Sequence, residues 1–187
     1  DLYLPALYKA LSLSSELSHQ WRVHRGAIRS LLSYSLGGNA YLLTTSQYGE
    51  IYRWKLSAGQ LMDRQTLFND PKYDIRSLRV DTLHRRLFAM AYGGQLLIIS
   101  AANKVEIQEL PISQPVGMEY WQEQVVIAQK NGVLCVVSPD TGETKSFYQH
   151  PCAITALTLH AGQLLIGDAE GGVYQVDSQG KARFVWK

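Results

Sequence analysis

Two cysteines, five histidines and no long apolar run set the first limits on this 187-residue chain. Cys135 and Cys152 are too few for a disulfide framework. Each lies in an apolar, strand-like stretch that suits a buried free thiol. A bridge between them in an oxidising compartment stays open as the alternative. No apolar run approaches the roughly eighteen residues of a membrane span. Charge of one sign is also missing. Eighteen Lys and Arg against sixteen Asp and Glu leave a net charge of +2, too weak a field to hold a nucleic-acid backbone. The local basic spots, Arg22, Arg25 and Arg29 with His24, and Arg85 and Arg86 beside His84, read as solvated strand ends.

The usual catalytic signatures are absent too. His19, His24, His84, His150 and His160 show no metal-ligand spacing. No nucleophile elbow, P-loop or dinucleotide fingerprint occurs. Asp168, Glu170 and Asp177 read as solvated acids rather than a calcium site. The expectation is therefore no catalytic residue, no metal ligand and no cofactor. There is no signal peptide from which to read a compartment, and the chain opens on Asp1 rather than Met. A piece of something longer is expected.

What is present is a repeat. Gly49-Glu50-Ile51-Tyr52-Arg53-Trp54 is echoed by Gly94-Gln95-Leu96-Leu97-Ile98-Ile99, by Gly132-Val133-Leu134-Cys135-Val136-Val137 and by Gly171-Gly172-Val173-Tyr174-Gln175-Val176. The glycines recur roughly every forty residues, so one supersecondary unit is stacked or fanned four times. Each unit reads as four strands. The first carry a shared spacing: Ile28-Arg29-Ser30-Leu31, Ile75-Arg76-Ser77-Leu78, a weaker Val116-Gly117-Met118-Glu119, and Ile154-Thr155-Ala156-Leu157. The second are short continuous apolar runs such as Leu87-Phe88-Ala89-Met90 and Val125-Val126-Ile127-Ala128, which suit strands buried on both faces. The third start at the glycines. The fourth are more polar, and Lys104 to Leu110 alternates as an outer strand with one wet face does. Gly59, Asn103, Gly142 and Gly180 mark a tight turn in each copy.

This pattern predicts an all-β fold: a β-propeller segment of four four-stranded antiparallel blades with a short N-terminal helix. Residues 1–19 form the helix or linker, with Leu4, Leu7, Tyr8 and Leu11 on one face. The propeller spans 20–187, with blades at about 24–68, 73–110, 114–148 and 150–187. Residues 20–23 alternate directly ahead of His24, where a fourth strand belongs. Because its companion strands are missing at the other end, the segment is expected to belong to a larger propeller. Four-bladed closure and pairing of two chains are the alternatives. Open blade faces are expected to self-associate.

The repeats resemble diverged WD-repeat blades. His24-Arg25-Gly26 stands where that family has Gly-His, Trp54 stands at its Trp, and Asp177 follows Val176 as the family's Asp follows its Trp. The resemblance implies a closing strand at residues 20–23 and a buried His–Ser/Thr–Asp–Trp network within a blade. In the first blade it implies His24, Thr45 or Ser46, and Trp54, with Tyr48 in the usual Asp position and the network incomplete. In the fourth it implies His150 and Glu170, with Val176 replacing the Trp.

Loops joining fourth to first and second to third strands share one face of a propeller. Here that face is expected to carry Arg25, Tyr48, Tyr73, Tyr92, Lys130 and Glu170. Tyr and Arg are enriched at interface hot spots. The reading is a non-enzymatic scaffold that binds a protein or peptide, a module of a larger multidomain protein. A quinoprotein-like sensor with a small molecule in the channel is one alternative, with Arg29, Arg76 and Thr155 as its channel candidates. A hydrolase or lyase propeller is the other.

Overall fold

The computed structural model describes residues 23–58 and 60–186. The expected helix over 1–19 and the turn at Gly59 lie outside the described residues. Of the closing strand over 20–23 only Val23 is described, and it is not in a strand. Blade 1 comprises β1 (Ile28–Leu36), β2 (Asn39–Ser46), β3 (Glu50–Ser57) and β4 (Gln60–Asn69). Blade 2 follows as β5 (Ile75–Asp81), β6 (Arg86–Ala91), β7 (Gln95–Ile99) and β8 (Val105–Glu109). Blade 3 is β9 (Pro115–Trp121), β10 (Gln124–Gln129), β11 (Val133–Val137) and β12 (Thr144–Gln149). Blade 4 is β13 (Ile154–His160), β14 (Gln163–Asp168), β15 (Val173–Val176) and β16 (Ala182–Trp186). Each blade is an antiparallel meander of four strands in chain order. The first strands meet across blades in the order β1, β5, β9, β13. Among the described residues no helix is long and apolar enough to cross a membrane.

Side-chain alternation explains the continuous apolar runs. Strand residues point to opposite faces in turn. Leu87, Ala89, Ala91, Leu97 and Ile99 of blade 2 therefore pack on Leu43, Ile51 and Leu67 of blade 1. Phe88, Met90, Leu96 and Ile98, between them in sequence, pack on Met118, Val125, Ile127 and Cys135 of blade 3. Val126, Ala128 and Leu134 turn the other way, onto Ile154, Leu164 and Ile166 of blade 4. A middle blade has two apolar faces because it has two neighbours.

The end blades show the converse. Ile75, Leu78, Met118 and Ile154 are fully buried, each against the preceding blade. Ile28 and Leu31 carry the same sequence spacing in blade 1 yet are 49% and 62% exposed. At the far side Phe184, Val185 and Trp186 of β16 are exposed. Leu165 of β14 is only half-buried, whereas Leu164 and Ile166, facing blade 3, are buried.

In the first three copies the repeating glycine has a steric cause, whereas at Gly171 a Cβ would meet nothing within 4 Å and only the φ of 84° favours glycine. Gly49 adopts φ 66°, and a Cβ there would lie 1.9 Å from the Asp70 carbonyl oxygen. The chain leaving the fourth strand crosses directly over this turn, and only Gly combines positive φ with that approach. The glycine carbonyl then accepts the crossing amide, from Leu110 to Gly94 at 3.2 Å and from His150 to Gly132 at 2.8 Å.

A bulge recurs at one place in every blade. Pairing of β1 with β2 steps from Ile28↔Ser46 to Ser30↔Thr45, skipping Arg29. The same step skips Arg76, Val116 and Thr155 in the other three. All four skipped residues are exposed on the innermost strands.

Candidate binding face

Two buried polar networks pin the loops at one end of the blades. In blade 1 the His24 Nδ1–H donates to Glu50 Oε2 at 3.1 Å, which leaves Nε2 to accept from the Thr44 hydroxyl at 2.7 Å. Trp54 Nε1–H donates to that same hydroxyl oxygen at 3.1 Å. Glu50 also accepts from Ser46 Oγ at 2.8 Å, from the Arg25 amide at 3.1 Å and from Arg25 Nε at 2.8 Å. Every donor faces an acceptor, so neutral His24 and ionised Glu50 fit together. Burial alone would raise the Glu50 carboxyl. The bonds from Ser46, Arg25 and His24 outweigh it and hold the pKa at about 2. Burial lowers His24 from its ordinary value, against the pull of Glu50.

This corrects the sequence reading in two ways. The network hydroxyl shared with His24 and Trp54 belongs to Thr44, while Thr45 Oγ1 donates to the Ile75 carbonyl of blade 2 at 3.2 Å. Ser46 joins through the acid. The acid itself is Glu50, two residues beyond Tyr48, so the network is complete. Side-chain reach rather than sequence register supplies the carboxylate.

In blade 4 His150 is in place, but its acid is Asp168 and not Glu170, which is exposed. His150 Nε2–H donates to Asp168 Oδ2 at 3.1 Å, and the Tyr148 hydroxyl lies 2.8 Å from His150 Nδ1. The bond from His150 holds Asp168 well below the usual carboxylate range, and the Gly172 and Glu170 amides add to it against burial. Asp168 pairs with Ile154 as Ser46 pairs with Ile28. The acid has thus moved from the third strand's first residue to the second strand's last. Cys135 is buried, and burial pushes its thiol up to about 11. Cys152 lies not in a strand, as its sequence context suggests, but in the loop before β13, partly exposed, with Sγ 3.3 Å from Asp168 Oδ2.

Above these networks lies the face formed by the turns between second and third strands. Tyr48, Tyr92, Lys130 and Glu170 all sit in those turns and are exposed. Arg25 is exposed in the loop entering blade 1, tied down by Glu50 and by Asn69 at 2.8 Å. Tyr73 does not belong to the face. It is buried against Phe68 and completes the core between blades 1 and 2, because its loop folds inward over Gly49. Two residues named only as channel candidates join the face instead. The Arg76 guanidinium stands 4.7 Å above the Tyr92 ring and bonds Asp74 at 2.6 Å. Arg29 reaches the same Asp74 at 3.2 Å and Gln47 at 3.2 Å. One carboxylate therefore serves two guanidiniums across two blades, and the patch stays positive.

No protein-family model and no curated protein sequence matches the chain. Solved structures do. The computationally designed Ika4 protein matches with TM-score 0.63 at 18% identity, over 89% of this chain and 96% of that one. A structure of a Nidogen/Laminin complex matches with TM-score 0.65 at 12% identity, over 77% of this chain and 60% of that one. BBS1N in complex with ARL6DN matches with TM-score 0.64 at 17% identity, over 86% of this chain and 55% of that one. The chain thus spans nearly all of the first and little more than half of the other two. Together with the four sheets, these likenesses define a β-propeller-like fold.

Proposed function

We propose that the chain is a non-enzymatic interaction scaffold, a WD-repeat-like module whose turn face binds an acidic, aromatic-containing peptide or partner segment. The observation that carries this reading is the exposed pair Tyr48 and Tyr92 beside Arg29 and Arg76. Tyr92 is 48% exposed with a guanidinium stacked on it, an arrangement that offers apolar area and a polar tip at small ordering cost. Two arginines sharing Asp74 leave positive charge for an acidic ligand. The networks under His24 and His150 hold the turns in place before any ligand arrives. Neighbours of the same fold are described as a Nidogen/Laminin complex and as BBS1N with ARL6DN, which supports a protein partner by analogy of fold. Self-association through the exposed faces of blades 1 and 4 is the companion expectation.

The test is selection from a displayed random-peptide library on the immobilised chain, with Tyr48→Ala/Arg76→Ala/Tyr92→Ala as the control surface. Enrichment of acidic, aromatic-bearing peptides that the triple variant fails to hold is the expected result. Enrichment unchanged on the variant moves the binding site elsewhere.

A further inference from the structure

Blade 4 gathers a histidine, a cysteine and an aspartate in a way blade 1 does not. His150, Cys152 and Asp168 place one ligating atom each within 4.8 Å of one another. We propose that these three residues form a site for a thiophilic divalent ion, with Zn2+ the physiological candidate and Co2+ its spectroscopic stand-in.

Four observations carry it. First, the donor set of imidazole, thiol and carboxylate suits zinc and not calcium. With ligand distances of roughly 2.0–2.3 Å, tetrahedral zinc brings its donors roughly 3.3–3.6 Å apart. Asp168 Oδ2 lies 3.1 Å from His150 Nε2 and 3.3 Å from Cys152 Sγ, so two edges of such a tetrahedron are nearly in place. Turning the partly exposed Cys152 side chain closes the third. Second, the ligands are held from behind. Asp168 Oδ1 accepts the Gly172 amide at 2.7 Å and the Glu170 amide at 3.0 Å, leaving Oδ2 to the site. The Tyr148 hydroxyl, 2.8 Å from His150 Nδ1, fixes the ring with Nε2 toward Asp168, the outer support that metal-bound histidines use.

Third, the thiol is not needed to complete a blade network. Cys152 sits two residues past His150, where blade 1 has Gly26 two residues past His24, and the blade 1 network is satisfied without it. Fourth, burial is graded as an ion site requires. The His150 and Asp168 side chains are each 1% exposed, while Cys152 borders solvent and gives the ion its entry. Water takes the fourth position. Binding forms the metal–sulfur bond and releases the Cys152 proton to solvent. The imidazole proton leaves Nε2 and a proton is taken up at Nδ1, where the Tyr148 oxygen accepts its hydrogen bond. One proton is released per ion.

The chain, purified free of metal, is titrated with Co2+ and then Zn2+. The expected result is a near-ultraviolet thiolate-to-cobalt band saturating at one equivalent, bleached by Zn2+ and absent in Cys152→Ala. That variant keeps the fold, because a glycine serves at the matching place in blade 1. Tyr148→Phe retains the band with affinity weakened about tenfold. No charge-transfer band in the wild-type chain, or a band that survives in Cys152→Ala, overturns the proposal. The second outcome would assign the ion to adventitious binding.

Discussion

Arg79 of β5 grips Glu119 of β9 with two parallel bonds, Nε and Nη2 each 2.5 Å from one carboxylate oxygen. Glu119 is buried, and the pair bolts blade 2 to blade 3 at the first strands. Arg79→Ala strands that carboxylate and is expected to cost about 3 kcal/mol in urea unfolding. Arg79→Lys loses the fork and falls between. Replacing both partners with Met and Leu is expected to cost less than Arg79→Ala alone.

The Thr44 and Thr45 hydroxyls separate two roles that neighbour each other in sequence. Thr44 serves His24 and Trp54 at once, while Thr45 makes one bond to Ile75. Thr44→Val is expected to destabilise by about 2 kcal/mol and Thr45→Val by about 1 kcal/mol in the same assay. Equal costs would deny the shared hydroxyl.

Acid weakens the blade 1 network in two steps. The His24 pKa is lowered on folding, so its contribution is complete above the unfolded value of 6.5 and declines as pH falls below it. The Glu50 pKa falls from 4.5 to about 2, so its contribution holds above 4.5 and is lost between there and about 2. From that shift the second step amounts to about 3 kcal/mol. Stability measured from pH 7.5 to 2.5 is expected to fall in both windows, and Glu50→Gln to flatten the lower one.

Matched positions in different blades give a control built into the chain. Leu78→Ala is expected to cost about 3 kcal/mol, since Leu78 is fully buried. Leu31→Ala, at the matching and exposed place in blade 1, is expected to cost under about 0.5 kcal/mol. If the chain associates through that face, Leu31→Lys raises the monomer fraction in sedimentation velocity. A Leu31→Ala cost equal to that of Leu78→Ala would place a neighbour over β1.

Much of the fold was legible because the repeat carries its own cause. A glycine must stand where the chain crosses, and an apolar run must stand where a blade has neighbours on both sides. Open end faces are expected from the sequence, but the pattern does not say which residues they expose. Ile28 and Leu31 read the same as Ile75 and Leu78, and only the neighbours differ. The networks were half legible. His24, Ser46, Trp54 and His150 stood out, yet Glu50 and Asp168 reach the histidines from places the spacing did not indicate. Tyr73 reads as a face residue in the sequence because nothing local shows that its loop turns inward. The grouping of His150, Cys152 and Asp168 was invisible, since sixteen residues and a hairpin separate Cys152 from its acid.

The repeated bulge frees one residue per blade from the pairing ladder. Arg29, Arg76, Val116 and Thr155 can differ so widely because neither backbone pairing nor the apolar layers constrain them. Each of the four blades thus has one first-strand position open to substitution. An engineer, or natural drift, can rewrite the chemistry at those positions one blade at a time while the scaffold stays untouched.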